Sequence, residues 1–344
     1  MRLLFVLAVA GCTSEPVPDV ATGEVAAWQT APALPVARAN HCSAAIADWV
    51  LVIGGNRASG ADFVKTDEID AAQVAADGTL GPWQVAGHLP SPVSECNATS
   101  DGQHLYVIDG LYDDIAQDGK VFTADLDATG LLGAVTALGA LPAGAVTIAT
   151  GATVHDGTLL VMEQLLPASG NTVVTLRTPL AGIAWSTDDW KIGFHAQSEY
   201  AFSDSFAYSI GGYVDPAVGA VADVYVAPID ATGAIGTVTA SAALPTAVAF
   251  GQAVAVDGWV FVAGGRAQVF GAPGTTAVYA APIAADGSLG AWQTAAPLPM
   301  ARANHSMVVV GDYLVLTGGA ANGPGDTTVL TARVRYPASA TSAE

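Results

Sequence analysis

Short apolar runs recur along the whole chain, most of them about five residues long, and each is cut off by glycine, proline or an aspartate-containing turn. The stretch from 250 to 294 shows the pattern best. Phe250 to Val256 is one run, Asp257-Gly258 a tight turn, and Trp259 to Ala263 a second run ended by Gly264-Gly265. Thr276 to Ile283 is a third, and Asp286-Gly287 turns the chain into a fourth around Leu289 to Thr294. Runs this short, rich in Val, Ala and aromatics, predict half-buried or buried β-strands, and Asp-Gly between two of them predicts a hairpin. Four such strands make one antiparallel sheet.

The unit repeats, and the repeat decides the fold. Ala26-Ala27-Trp28-Gln29-Thr30 through Leu34-Pro35-Val36-Ala37-Arg38-Ala39-Asn40-His41 returns as Gly290-Ala291-Trp292-Gln293-Thr294 through Leu298-Pro299-Met300-Ala301-Arg302-Ala303-Asn304-His305. Leu-Pro recurs at Leu89-Pro90, Leu141-Pro142 and Leu244-Pro245. Gly-Gly closes an apolar run at Gly54-Gly55, Gly211-Gly212, Gly264-Gly265 and Gly318-Gly319, with Asp109-Gly110 and Met162-Glu163 filling the two missing places. The steps are 55, 53, 49, 53 and 54 residues, so six units of fifty-odd residues follow one another.

The Gly-Gly pair, an aromatic in the third strand (Phe122, Tyr225, Tyr279) and a Trp at the fourth (Trp83, Trp292) resemble the kelch repeat. The likeness spans Gly23 to Tyr336 and is poorest in the third unit. It implies an all-β, six-bladed β-propeller whose blades pack radially. Ala21-Thr22-Gly23 resembles Ala231-Thr232-Gly233, a turn leading into a fourth strand, whereas the last unit lacks a fourth strand of its own. The N-terminal strand is therefore expected to complete blade six and close the ring, which removes exposed sheet edges.

Composition and charge narrow the functions. Hydrophobic residues make up 51% and charged residues 12%, which suits a packed domain rather than a disordered chain. The net charge of −20, with no cluster of Lys or Arg, excludes a nucleic-acid partner. Metal and cofactor motifs are absent: Asp113, Asp114 and Asp118 share a loop but miss the calcium-loop spacing, and no nucleophile elbow or Walker loop occurs.

Met1-Arg2, an apolar run from Leu3 to Ala10, and Val9-Ala10-Gly11-Cys12 resemble the signal and lipobox of a bacterial lipoprotein. The resemblance implies a signal peptide over 1–11, acylation of Cys12, a tether over 12–22, the propeller over 23–336 and a tail over 337–344. It places a monomeric propeller in the bacterial cell envelope, held to a membrane by lipid alone; Thr13 beside the cysteine is similar to outer-membrane lipoproteins. The remaining cysteines, Cys42 and Cys96, are then an even pair in an oxidising compartment, either disulfide-bonded or two buried thiols.

Strand order puts the connections between second and third strands, and between each blade and the next, on one face. Those loops (Asn56 to Phe63, Leu111 to Lys120, Gln164 to Asn171, Tyr213 to Ala220, Arg266 to Thr275, Ala320 to Asp326) are long and unlike one another, as binding loops on a rigid scaffold are. Three residues after each Leu-Pro, where the innermost strand begins, stand Arg38, Val93, Ala145, Val248 and Arg302, with His195 at this place in unit four; three residues further on come His41, Cys96, Ile148, Ser198, Gly251 and His305. Arg38, Asn40, His41, Arg302, Asn304 and His305 therefore meet where blades one and six adjoin, with Glu95 and Glu199 in register nearby. Two readings stand: a polar network that satisfies buried loop ends, or a pocket for an anionic or sugar ligand. Function divides likewise. One reading is a non-catalytic envelope protein recognising a glycan or protein through the loop face. The other is a sugar-active enzyme, since kelch propellers include a sialic acid mutarotase, with His195, Glu199, Glu95 and the arginines Arg38 and Arg302 as candidates for its acid–base chemistry.

Overall fold

The computed structural model describes residues 23–59, 62–108, 110, 119–142, 151–165, 172–193, 195–215, 217–268, 272–322 and 325–334. The lipobox and tether, the tail, Asp113, Asp114, Asp118, Ala145 and Ile148 lie outside them. Six antiparallel sheets are arranged as the blades of a propeller. From the inside outward, the four strands of blade five are A (Gln252–Val256), B (Trp259–Ala263), C (Val278–Pro282) and D (Gln293–Thr294). The other blades repeat this order. Their A strands are Cys42–Ile46, Asn97–Ser100, Gly151–His155, Glu199–Phe202 and Ser306–Val310. Blade six borrows its D strand from the start of the chain: Gln29–Ala31 pairs with Val329–Arg333, and Val25 bridges Val334. Gly23 lies flat against Trp259 of blade five, where a Cβ would stand 2.3 Å from the ring.

The strands are apolar on both faces because each blade is buried on both sides. In blade one, Leu51 and Ile53 enter a core shared with blade two, while their neighbours Val50 and Val52 enter one shared with blade six. In blade five, Phe261 and Ala263 face blade six, and Val260 and Val262 face blade four. The hydrophobic core is thus six slabs, one per seam, each built from period-two alternation in two neighbouring sheets.

Gly-Gly is the staple between blades. The N–H of its second residue donates to the carbonyl at the Arg38-equivalent position of the next blade: Gly55 to Val93, Gly212 to Val248, Gly265 to Arg302 and Gly319 to Arg38, at 2.7–2.9 Å. A side chain cannot fit there: a Cβ on Gly318 would stand 2.6 Å from the Arg38 carbonyl, and φ is +58°. The third unit corrects the sequence register. Gly151 pairs with Met162 as Cys42 pairs with Ile53, so Glu163-Gln164, not Met162-Glu163, occupies the Gly-Gly place. A second staple joins the outer strands. The indole N–H of Trp28, Trp83 and Trp292 donates to the carbonyls of Ala296, Pro32 and Ala242 in the adjoining blade, at 2.8–3.0 Å.

Cys42 and Cys96, which open the A strand of blade one and immediately precede that of blade two, are disulfide-bonded with Cα atoms 5.4 Å apart. Such a bond points toward an oxidising, extracytoplasmic compartment. Among the described residues no helix is long and apolar enough to cross a membrane.

Candidate functional site

Each chain segment that arrives from an outer D strand must turn inward and enter an A strand beside the propeller axis. The residue that makes this turn is left-handed in all five blades where it is described: Asn40 (φ 54°), Glu95 (φ 56°), Gln197 (φ 52°), Phe250 (φ 63°) and Asn304 (φ 56°). Asparagine tolerates this conformation; phenylalanine and glutamate adopt it only when the surroundings compel them. The compulsion is a hydrogen-bonded hoop. Phe250 N–H donates to the Gln197 carbonyl (3.2 Å), Asn304 to Phe250 (2.9 Å), Asn40 to Asn304 (3.0 Å) and Glu95 to Asn40 (2.7 Å). With their backbones spent on one another, these residues ring the mouth of a central channel of about 320 Å³, lined by the A strands of all six blades.

The residue that follows Gly-Gly forms a second tier. It bridges the alanine just before the hoop: Asn56 to Ala39, Tyr213 to Ala196, Arg266 to Ala249 and Ala320 to Ala303. Tyr213 stacks on Phe250 with ring centroids 6.1 Å apart, and the guanidinium carbon of Arg266 lies 4.4 Å over the same Phe250 ring. Burial lowers the Arg266 pKa, and among the described residues its Nε has no hydrogen-bond partner. Burial also raises the Glu95 carboxyl, against the pull of Lys65, while burial first and the nearby Glu95 second raise the Tyr213 hydroxyl. Three amides, a carboxyl and the Phe250 ring therefore surround one opening, with Tyr213 and Arg266 packed against that ring.

The arginines and histidines expected at this site lie one layer deeper. Arg38 is fully buried and donates to the carbonyls of Gly54 (3.1 Å) and Glu68 (3.0 Å) and to the carboxylates of Glu68 and Asp70 (2.5 Å each). Burial pushes Asp70 up to about 6 even beside that guanidinium. Arg302 repeats the first of these contacts in blade six, donating to the Gly318 carbonyl. His41 and His305 are wholly buried and pushed down to about 3, mainly by burial and then by Arg38 and Arg302 respectively. The His41 Nε2 meets Thr317 Oγ1 at 2.9 Å, and each imidazole packs over the first glycine of the preceding blade's pair, Gly318 under His41 and Gly264 under His305.

His195 takes the arginine place in blade four. It is buried edge-on against Tyr225, with Nε2 3.8 Å from Asp223. Glu199 is buried between blades four and five; its Oε1 accepts the Gly251 N–H at 2.6 Å, and burial raises its pKa to about 8. Of the sequence candidates, Asn40, Glu95 and Asn304 come together at the mouth. Arg38, His41, Arg302 and His305 form the buried layer at the seams beneath it, and His195 and Glu199 stand apart in blade four. Gln197, Tyr213, Phe250 and Arg266 escaped the sequence reading. Counting two residues past each arginine place, and one past each Gly-Gly, reaches all four. Among the described residues no group of three or more His, Cys, Asp or Glu could hold a metal ion.

No family model matches the sequence, and no curated protein matches it. Among solved structures, YjhT, a kelch-type protein, matches with a TM-score of 0.64 over 87% of this chain and 96% of that one, at 16% identity. That similarity is one of fold: a kelch-like six-bladed propeller.

Proposed function

We propose that this chain is a lipid-anchored recognition protein of the bacterial envelope that binds a glycan at the channel mouth, without catalysis. The observation that carries the reading is the hoop. It fixes Asn40, Gln197 and Asn304 as amide donors and acceptors around Phe250, whose ring is already stacked. Planar hydrogen-bonding groups beside an aromatic face suit the hydroxyls and C–H faces of a sugar, and rigid presentation lowers the entropy cost of binding. The lipobox and the extracytoplasmic disulfide support the address. A protein partner on the loop face is the competing occupant.

The sugar-active alternative keeps one observation in its favour, the Glu95 carboxyl raised at the mouth within electrostatic range of Tyr213. His195 and Glu199, its other candidates, are buried in the blades.

The test is a glycan array probed with the mature chain and with Arg266→Ala and Asn304→Ala. Binding to a defined set of sugars that both variants lose supports the mouth. Sugar binding unchanged in both variants rejects it. Sugar turnover lost in Glu95→Gln would replace recognition with catalysis.

A further inference from the structure

Both described ends of the propeller lie on the face opposite the mouth. Gly23 rests against Trp259, the first residue of strand B after the Asp257-Gly258 turn. Val25 bridges Val334, whose N–H donates to the carbonyl of Asp312 in another turn between strands A and B. The hoop and the Gly-Gly pairs sit at the other ends of the same strands, with A strands of four or five residues between the two faces, about 15 Å of backbone.

That turn face is also acidic. Each of its six A–B connections carries an exposed aspartate: Asp48, Asp101, Asp156, Asp204, Asp257 and Asp312. Four turns between strands C and D add one more each. Arg333, paired with Asp312 at 3.2 Å, stands among them. A face of this charge is repelled by anionic headgroups over about a Debye length, ~10 Å. The eleven positions from Cys12 to Gly23 can span at most about 40 Å.

We propose that the propeller is presented with its acidic turn face toward the anchoring membrane and its mouth directed away. The mouth then takes its ligand from the aqueous phase or from an opposing surface, not from the headgroups of the bilayer that holds the protein. The proposal rests on the lipid anchor at Cys12, and two measurements separate the failure of one from the failure of the other.

For orientation, the mature chain is coupled through the Cys12 thiol to maleimide headgroups in phosphatidylcholine–phosphatidylglycerol vesicles. A fluorophore is clicked onto Asp257→p-azidophenylalanine or Val218→p-azidophenylalanine; Val218 is 73% exposed on the loop face. Energy transfer to a headgroup acceptor is expected to be clearly stronger from 257 than from 218, and to rise with salt as the repulsion is screened. Equal transfer, or stronger transfer from 218, overturns the orientation. For the anchor, palmitate incorporation in cells is expected in the full chain and absent in Cys12→Ala. No incorporation in either overturns the anchor, and the proposal with it, whatever the vesicles show.

Discussion

The backbone N–H of Asn40 donates to the carbonyl of Asn304 at 3.0 Å, across the seam where the first blade meets the last. Nearly the whole chain separates the two residues, yet each occupies the same place in its repeat and holds the same left-handed conformation. The bond therefore closes the propeller and forms part of the candidate site at once.

Phe250 should divide stability from binding. Its bulky side chain is held left-handed where blades one and six use asparagine. Phe250→Asn relieves backbone strain and loses the stacking with Tyr213 and Arg266. We expect unfolding free energy within about 1 kcal/mol of the parent and no remaining sugar binding, measured by denaturant titration and by array.

The two tiers of arginine should respond differently. Arg38→Ala strands Asp70 and the Gly54 carbonyl in the interior, a loss of about 3–5 kcal/mol. Arg266→Ala removes a guanidinium that has no ion pair among the described residues, and should cost about 1 kcal/mol or less. Urea denaturation of both variants checks the order; equal costs would contradict it.

Stability should peak near pH 6.5. His41 and His305 have folded pKa values of about 3 against an ordinary 6.5. Below about pH 6.5 the unfolded chain takes protons that the folded chain refuses, so stability falls as pH drops from 6.5 toward 3, by about 1.4 kcal/mol per pH unit for each. Glu199, raised from 4.5 to about 8, works in the opposite sense. Its contribution is complete below 4.5 and is lost as pH rises to 8. Asp70, raised to about 6, does the same over a lower window. The balance turns near pH 6.5, with the histidines dominating the loss below it and Glu199 the loss above it. Glu199→Gln should abolish the decline between 6.5 and 8 in a melting series.

The sequence carried the architecture because propeller physics repeats. Alternating Val50-Leu51-Val52-Ile53 serves two seams, Gly-Gly admits the next blade's carbonyl, and the borrowed D strand repeats a turn found elsewhere in the chain. Arg38 and Arg302 were expected at one seam, but Arg38 lies where blade one meets blade six and Arg302 where blade six meets blade five, its carbonyl taken by Gly265. Their two readings could not be parted in the sequence, because the partners that satisfy Arg38, Glu68 and Asp70, lie on strand C, thirty residues away. The mouth was half legible. Asn40 and Asn304 stand out as repeated polar residues. Phe250 does not, because an aromatic beside an apolar run reads as core, and only its left-handed backbone and its contacts with Tyr213 and Arg266 reveal another use. In unit three, with neither Gly-Gly nor a clear strand A signal, the register slipped by one residue.

Loss of the disulfide should weaken the seam between blades one and two. Cys42 and Cys96 close a loop of sequence separation 54, and Cys42→Ala with Cys96→Ala should cost about 2–4 kcal/mol. Thermal unfolding of the double variant beside the reduced parent should give the same shift; a parent insensitive to reductant would contradict this.

Recognition at the mouth is tested most directly by thermal shift across a panel of soluble sugars, run on the parent chain, Phe250→Asn and the turn-face variant Asp257→Asn. At least one sugar is expected to stabilise the parent and Asp257→Asn alike and to leave Phe250→Asn unmoved. A sugar that stabilises Phe250→Asn as strongly as the parent, or a panel that stabilises none of the three, would contradict glycan recognition at the channel mouth.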